Sequence, residues 1–357
     1  MTEHHDIIII GAGLIGLCTA DELSARGLRV RVIDARPGPC EGTSFSNSGM
    51  IHPSQAMTWD PQTRLSRHVL DAARVTVDLA KRSKTLLVKK MEALGLPKRV
   101  DGCLQLFPDI EAARAAQSRF SDIGIRANIL MNAKDTFGHA ACQFPDDTSG
   151  DARAFGCALA GQLIERGVSF VYNAPDLNIR KSDKRFYIKT ADSLFSADQC
   201  VIAAGADSVR CLAQFDLRLS LNGVAGAAAD FELPTQTSKL PDCPIMDVES
   251  RSALTVFSDR IRISGGWGLK DPKTLIDRWY EIAPELMSTL GPKRSSWTGL
   301  RPVSPVGRPY ISRTSIPDLW VNTGHGHMGW TLCAGSGELL AKMMIEGHQD
   351  QRFAFFG

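Results

Sequence analysis

Asp6-Ile7-Ile8-Ile9-Ile10-Gly11-Ala12-Gly13-Leu14-Ile15-Gly16 opens a stretch that runs on to Val32-Ile33-Asp34 and decides the fold. Ile7 to Ile10 is a continuous β-branched run, which a parallel strand buried on both faces requires. From Leu14 to Arg26, apolar residues at Leu14, Ile15, Leu17, Ala20 and Leu23 recur with helical spacing, and Gly27 stops the helix. Leu28 to Ile33 supplies a second strand. A Gly-x-Gly-x-x-Gly turn set between strand and helix is the context in which this motif binds a dinucleotide. Gly11 allows the tight turn, Gly13 lets backbone approach a pyrophosphate, and Gly16 permits close helix packing. The phosphates then meet the positive end of the helix. Asp34, 18 residues past Gly16, is placed to accept hydrogen bonds from an adenosine ribose. An acid there disfavours a 2′-phosphate and hence NADP. The motif does not choose between FAD and NAD.

At 357 residues the chain exceeds what one hydrophobic core usually organises, so two domains are expected, and 43% apolar residues are enough to fill both. The formal charge of +2, from 41 basic and 39 acidic residues spread along the sequence, offers no footprint for nucleic acid. The nine cysteines are odd in number, scattered and without a C-x-x-C pair, which points to reduced thiols and a cytoplasmic compartment. Structural zinc is not expected. No basic region followed by a secretory core opens the chain, and Ile7 to Ile10 is far too short to span a bilayer.

Between Asp60 and Pro97 the periodicity is helical, with Leu65, Val69, Leu70, Ala73, Val77 and Leu86 to Val88 among many basic residues. This reads as an inserted helical segment. Asp151 caps a further helix that Gly167 closes, and Val168 to Tyr172, Phe186 to Thr190 and Gln199 to Ala203 follow as strands. From Leu219 to Ser264 the pattern is extended, at Val224 to Phe231, Ala253 to Phe257 and Ile261 to Ile263, and suits an antiparallel sheet. Thr274 to Leu290 returns to helix. Leu319 to Asn322 is a strand that leads through glycines into a last helix from about Thr331 to Ile345.

Beyond Asp34 the chain reads Glu41-Gly42-Thr43-Ser44-Phe45-Ser46-Asn47-Ser48-Gly49-Met50. With Gly102 to Phe107, Val201 to Gly205, Gly299-Leu300-Arg301-Pro302 and Asn322 to Gly326, in that order, it resembles the D-amino acid dehydrogenase family. That family lies within the wider glycine oxidase and sarcosine oxidase group of FAD-dependent oxidoreductases. The resemblance spans nearly the whole chain. It implies an α/β fold: an FAD-binding, doubly wound (Rossmann-like) domain from 1–60, 145–215 and 300–357, and a substrate domain with an antiparallel sheet and helices from 61–144 and 216–299.

The resemblance also assigns roles. Thr43 and Ser44 help hold the FAD phosphates, Asn47, Ser48 and Gly49 lie along the flavin ring, and Gly205 and Gly299 sit near the cofactor. Gly324, Gly326, His327, Met328, Gly329, Trp330 and Thr331 form a backbone-led loop that starts the last helix beneath the flavin, where amides and the helix dipole stabilise charge on the reduced ring. His325 and His327, two apart, lack a third ligand, so no metal is expected. Some sarcosine oxidase relatives attach flavin through a cysteine near the substrate arginine; Gly299 and Leu300 stand here, so the FAD is expected to be noncovalent.

Arg301 matches the arginine that holds the substrate carboxylate. A planar guanidinium can grip a carboxylate through two parallel hydrogen bonds, which lysine cannot reproduce. A structural ion pair is the competing explanation for Arg301. Met50, His52, Trp267 and Trp330 are candidate cavity walls, each weighed against plain core filling, and His52 and Trp330 are grouped with Arg301 as candidate catalytic residues.

Three departures bear on the substrate. Ser304-Pro305-Val306-Gly307 lacks the acid of the family's usual run, Ser250 stands where the dehydrogenases offer a tyrosine, and Asn222 to Ala225 lacks an expected lysine and tyrosine. The expected reaction is oxidation of the α-carbon of an amino acid, a D-amino acid foremost, by hydride transfer to flavin N5, giving an imine and then a keto acid. Electrons pass on to oxygen, a quinone or a partner protein. The alternatives are a sarcosine-, glycine- or hydroxyproline-type secondary amine oxidase or dehydrogenase, either alone or as one subunit of a hetero-oligomer, a nicotinamide dehydrogenase, and a catalytically decayed flavoprotein scaffold. The expected location is the cytoplasm, with attachment to the inner face of the membrane as the alternative. The helical insertion is shorter than in typical D-amino acid dehydrogenases, which weakens transfer of their membrane association.

Overall fold

Strand Glu3–Ile10 lies inside the first of two eight-stranded sheets in the computed structural model, which describes residues 3–57, 59, 66–97, 101–131, 134–235 and 240–355. It pairs in parallel with Leu194–Ile202 on one side and Val30–Ile33 on the other. Leu319–Thr323 and Ser169–Val171 extend the sheet, again in parallel. Tyr310–Arg313 forms an antiparallel edge, and a hairpin of Asn178–Ser182 and Arg185–Lys189 pairs with Leu194–Ile202.

The isoleucine run divides by parity, as side chains of a strand must. Ile7 and Ile9 join a core with helices Leu14–Ser24, Arg67–Ala93, Ala152–Glu165 and Gly329–Glu346. Ile8 and Ile10 face the other way, into a core built with the hairpin and the short helix Ser208–Ala213. One face of this sheet is therefore covered by helices and the other largely by β-structure.

Helix Arg67–Ala93 starts at Ser66, whose side chain accepts from the Val69 amide. Its buried face, including Ala73, Val77, Ala80 and Leu87, packs on Gly329–Glu346. Leu65, read as part of the same periodicity, lies outside the described residues. The last helix also crosses Leu14–Ser24, where a Cβ at Gly337 would fall 2.6 Å from the Cys18 carbonyl oxygen.

The second sheet runs Lys293–Val303, Asn222–Glu232, Arg260–Gly265, Ser252–Val256, Ile245–Asp247, Cys103–Phe107, Ala140–Phe144, Asn128–Leu130. Every pairing is antiparallel except Ile245–Asp247 with Cys103–Phe107, which is parallel. Leu275, Trp279 and Ile282 pack against it from one helix, Lys273–Ile282. The single helix read over Thr274 to Leu290 is two: Pro284, which has no amide hydrogen, ends the first and begins Pro284–Thr289. Helix Ile110–Asp122 and strands Lys293–Val303 and Tyr310–Arg313 are additions to the sequence reading. All nine cysteines are unpaired, and among the described residues no helix is long and apolar enough to cross a membrane.

Candidate active site

A cavity of about 680 Å³ runs from the glycine turn to the edge of the second sheet. At its near end the three glycines divide by function. A Cβ on Gly11, whose φ is +116°, would fall 2.4 Å from the Ala203 carbonyl oxygen, and one on Gly16 would fall 1.8 Å from the Gly11 carbonyl oxygen. Both are glycines because the protein itself fills the space. Gly13 is different: its Cβ would meet only Ser44 Oγ, at 3.5 Å, and the residue lines the cavity. Gly13 also precedes helix Leu14–Ser24 and has no side chain to cap it; the Leu14 amide donates to Ser44 Oγ at a long 3.4 Å, and a helix N-terminus so placed suits an anion.

Asp34 lines the cavity and secures the turn at once. Its carboxylate accepts from the Ala12 amide at 2.5 Å and from the Arg36 amide at 2.8 Å. Burial raises its pKa, and these two donors work against that shift. Gly205, with φ +57°, lines the cavity on the far side, where a Cβ would meet nothing of the protein within 4 Å.

The segment after the second strand divides similarly. Thr43, Ser44, Asn47 and Ser48 line the cavity, and Thr43 Oγ1 also donates to the Leu300 carbonyl at 2.8 Å, tying this loop to the strand that carries Arg301. The Asn47 carbonyl accepts from Arg262, which is held by Asp230 at 2.6 and 2.7 Å. Gly49 faces away from the cavity, with the Phe257 ring 2.7 Å from its would-be Cβ. At the start of the last helix, Gly326, His327, Gly329 and Trp330 line the cavity, while Gly324, Met328 and Thr331 stand behind it. Thr331 Oγ1 accepts from the His52 amide at 3.0 Å.

Four buried polar atoms on residues of this wall have no partner among the described residues: His52 Nδ1, Ser264 Oγ, Asn322 Oδ1 and Trp330 Nε1. An unpaired buried polar atom costs about 1–3 kcal/mol. Four beside one cavity, together with the open sides of Gly13 and Gly205, fit a long polar ligand such as FAD.

At the far end, Arg301 comes off strand Lys293–Val303 opposite Val224. Its guanidinium lies over Gly226, and Nη1 donates to the Gly266 carbonyl at 2.7 Å. No ion pair holds Arg301 among the described residues, and burial lowers its pKa to about 10. Its Cζ lies 5.8 Å from the centre of the Trp59 ring. Trp59 stacks on His327 at 4.2 Å, and His327 stacks on His52 at 6.5 Å. Burial depresses both imidazoles to about 3, so both are neutral near neutral pH. Gln55 pins the stack: its side-chain oxygen accepts from Trp59 Nε1 at 2.9 Å, and its carbonyl pairs with His327 Nε2 at 2.8 Å. Among the described residues, the acids on the cavity wall, Asp34, Glu41, Asp176 and Asp207, all come from segments attached to the first sheet.

Of the other wall candidates, Met50 and Trp330 line the cavity, whereas Trp267 does not. Gly299 lines it beneath Trp297, whose ring lies 1.9 Å from a would-be Cβ there. His325 Nε2 pairs with Ser336 Oγ at 2.8 Å, and no three His, Cys, Asp or Glu among the described residues gather as metal ligands. Ser250 hydrogen-bonds Asp247 and Ser252 and is not on the wall. Trp59, Trp297, Gln55 and Gly226 are additions to the sequence reading. Gly226 had a legible signal, since a glycine inside a strand marks close approach by another group.

Comparison with known proteins agrees with this geometry. A family model described as FAD dependent oxidoreductase (DAO) matches residues 6–343. The D-amino acid dehydrogenase of Cereibacter sphaeroides is 30% identical over 404 residues, covering 95% of this chain and 91% of that protein. That of Vibrio atlanticus is 28% identical and covers 97% of each. Among solved structures, glycine oxidase from Geobacillus kaustophilus shares the fold with a TM-score of 0.83 at 22% identity, covering 100% of both chains. L-proline dehydrogenase from P. horikoshii does so with a TM-score of 0.80 at 20% identity, covering 98% and 96%. The dinucleotide is accordingly FAD and not NAD, and the chain belongs to the DAO family of FAD-dependent oxidoreductases.

Proposed function

We propose that this enzyme oxidises the α-carbon of an amino acid, with D-amino acids the first class. The α-hydrogen leaves as hydride, the amine gives up a proton to solvent, and the imine formed is hydrolysed by water to a keto acid and ammonia. FAD, when bound, supplies the hydride acceptor at N5. The chain's own residues bind and orient the substrate, which is most of what such a reaction asks of the protein.

The observation that carries this reading is Arg301: a guanidinium on the cavity wall that, among the described residues, has no carboxylate partner and is anchored through one nitrogen. Burying a cation without a counterion is costly, and a substrate carboxylate supplies that counterion. The intact setting of Arg301 also argues against a decayed scaffold. Met50, His52 and Trp330 form the walls around the reacting carbon, the last two with nitrogen atoms free to meet a ligand. Ser44, Asn47, Ser48 and the amides opening the last helix serve the cofactor.

A secondary amine substrate is the second reading. It is favoured by the neutral imidazoles at the substrate end, which need only one N–H from the amine. The electron acceptor is oxygen, a quinone or a partner protein. The nine unpaired thiols support a cytoplasmic location. We draw the FAD unit from 1–60, 145–215 and 300–357 and the substrate unit from 61–144 and 216–299. Strand membership of the two sheets supports this division, although Lys293–Val303 crosses the last boundary. Anaerobic mixing of the yellow enzyme with D-amino acids, L-amino acids, imino acids and N-methyl amino acids tests the reaction. Bleaching led by D-amino acids supports the first reading, bleaching led by imino or N-methyl acids supports the second, and bleaching by none overturns both.

A further inference from the structure

The hydrogen bond between His327 Nε2 and the Gln55 carbonyl fixes which nitrogen of that imidazole remains available. A carbonyl oxygen can only accept, so Nε2 carries the hydrogen and Nδ1 keeps its lone pair. Stacking on Trp59, with ring planes 16° apart, fixes the orientation of the imidazole, and Gln55 holds that indole from the same turn. Among the described residues, the titratable groups that act most on His327 are His52, Arg301 and Arg251, none of them an acid. The ring is thus a fixed, uncharged acceptor on the same wall as the unpaired guanidinium, with Trp59 in contact with both. Among the described residues on this wall, no carboxylate stands at this end to receive an ammonium group.

An acceptor of this kind suits an uncharged N–H donor. We propose that His327 Nδ1 accepts the N–H of the substrate's neutral amine while Arg301 holds the carboxylate. The substrate site then recognises an α-amino acid at two points and takes it with its amine unprotonated, the form from which hydride can leave. This rests on the reading of Arg301 as the carboxylate site and assigns the side chain of His327 to substrate, leaving the backbone of its loop to the cofactor.

Two aromatic carboxylates that cannot be oxidised at an α-carbon test the assignment on the FAD-loaded enzyme. Anthranilate carries a carboxylate beside an uncharged amine; benzoate carries the carboxylate alone. Binding is read from the shift each produces in the flavin absorption bands. The wild-type enzyme should bind anthranilate about tenfold more tightly than benzoate, the worth of one good hydrogen bond. His327→Phe, which keeps a ring against Trp59, should reduce that ratio to about one, and His327→Asn, which retains an acceptor, should restore part of it. Equal affinities in the wild type, or an undiminished ratio in His327→Phe, would overturn the proposal. Should the variants fail to bind FAD, ¹⁵N spectra of histidine-labelled wild-type enzyme decide: the proposal requires His327 in the Nε2–H form with an Nδ1 resonance that moves with anthranilate and not with benzoate. An Nδ1–H tautomer rejects it. Arg301→Ala separates the two layers, since it should weaken both ligands; if it weakens neither, the carboxylate reading fails by itself.

Discussion

The guanidinium of Arg301 lies over Gly226: a methyl group at position 226 would fall 2.2 Å from Nη1 and 2.4 Å from both Cζ and Nη2. The two residues sit on paired antiparallel strands, with Arg301 opposite Val224 and Gly226 opposite Gly299. Gly226→Ala should therefore push the guanidinium off its bond to Gly266. Overpacking of this kind costs about 1–3 kcal/mol, so kcat/KM for amino acids should fall by about ten- to a hundredfold at unchanged FAD content. Steady-state kinetics with a flavin absorbance measurement checks it. Wild-type kcat/KM in this variant would mean that the arginine does not act from where it lies.

Gly13 and Gly16 should respond differently to alanine. A Cβ at 16 collides with the Gly11 carbonyl, so Gly16→Ala should lower the melting temperature of the apoprotein. A Cβ at 13 meets only Ser44 Oγ at ordinary contact distance, so Gly13→Ala should fold normally and bind FAD at least tenfold more weakly, on the order of one lost contact. Melting of the apoproteins and FAD titration separate the two effects. Normal FAD affinity in Gly13→Ala would show that the pyrophosphate does not pass there.

Acid should destabilise the protein, with Asp147 acting in opposition. Burial depresses His52, His325 and His327 to about 3. The unfolded chain takes up those protons first, so their contribution is complete above about pH 6.5 and is lost as pH falls towards 3. Burial raises Asp147 to about 7, so there the folded chain binds the proton first and gains stability as pH falls from about 7 to about 4. Each group changes stability by about 1.4 kcal/mol per pH unit inside its window, and three imidazoles outweigh one carboxyl. Asp147→Asn removes the opposing contribution, so its melting temperature should gain on the wild type at about pH 8 relative to about pH 5. A difference independent of pH would show that Asp147 titrates like an exposed acid.

The FAD should leave with the supernatant when the holoenzyme is precipitated with acid, because Gly299 and Leu300 replace the attaching cysteine of some relatives. Yellow colour retained in the washed pellet would reveal a covalent bond.

The nucleotide half was legible because its signals are local. The isoleucine run, the three glycines and Asp34 lie within one strand-helix-strand unit, and each has a role set by its immediate neighbours. The substrate half depends on contacts between distant segments. Gly226 and Arg301 meet only because Asn222–Glu232 pairs with Lys293–Val303, and Trp59 reaches His327 from the far end of the chain. Strand Lys293–Val303 itself gave no alternating pattern, since Lys293, Arg294, Ser295 and Ser296 are all exposed along a sheet edge. Helix Ile110–Asp122 buries Ala113, Ala116 and Phe120, a helical spacing muted by its alanines. The break at Pro284 was visible in the sequence, and the helical periodicity around it obscured it.

Arg301→Ala in the FAD-loaded enzyme, mixed anaerobically with a D-amino acid that bleaches the wild type, is the decisive comparison. FAD should remain bound, and the second-order rate of bleaching should fall by about ten- to a hundredfold or more, the worth of about 1.5–3 kcal/mol in charge-assisted hydrogen bonding. A variant that keeps its FAD and bleaches at the wild-type rate would contradict the assignment of the substrate carboxylate to Arg301.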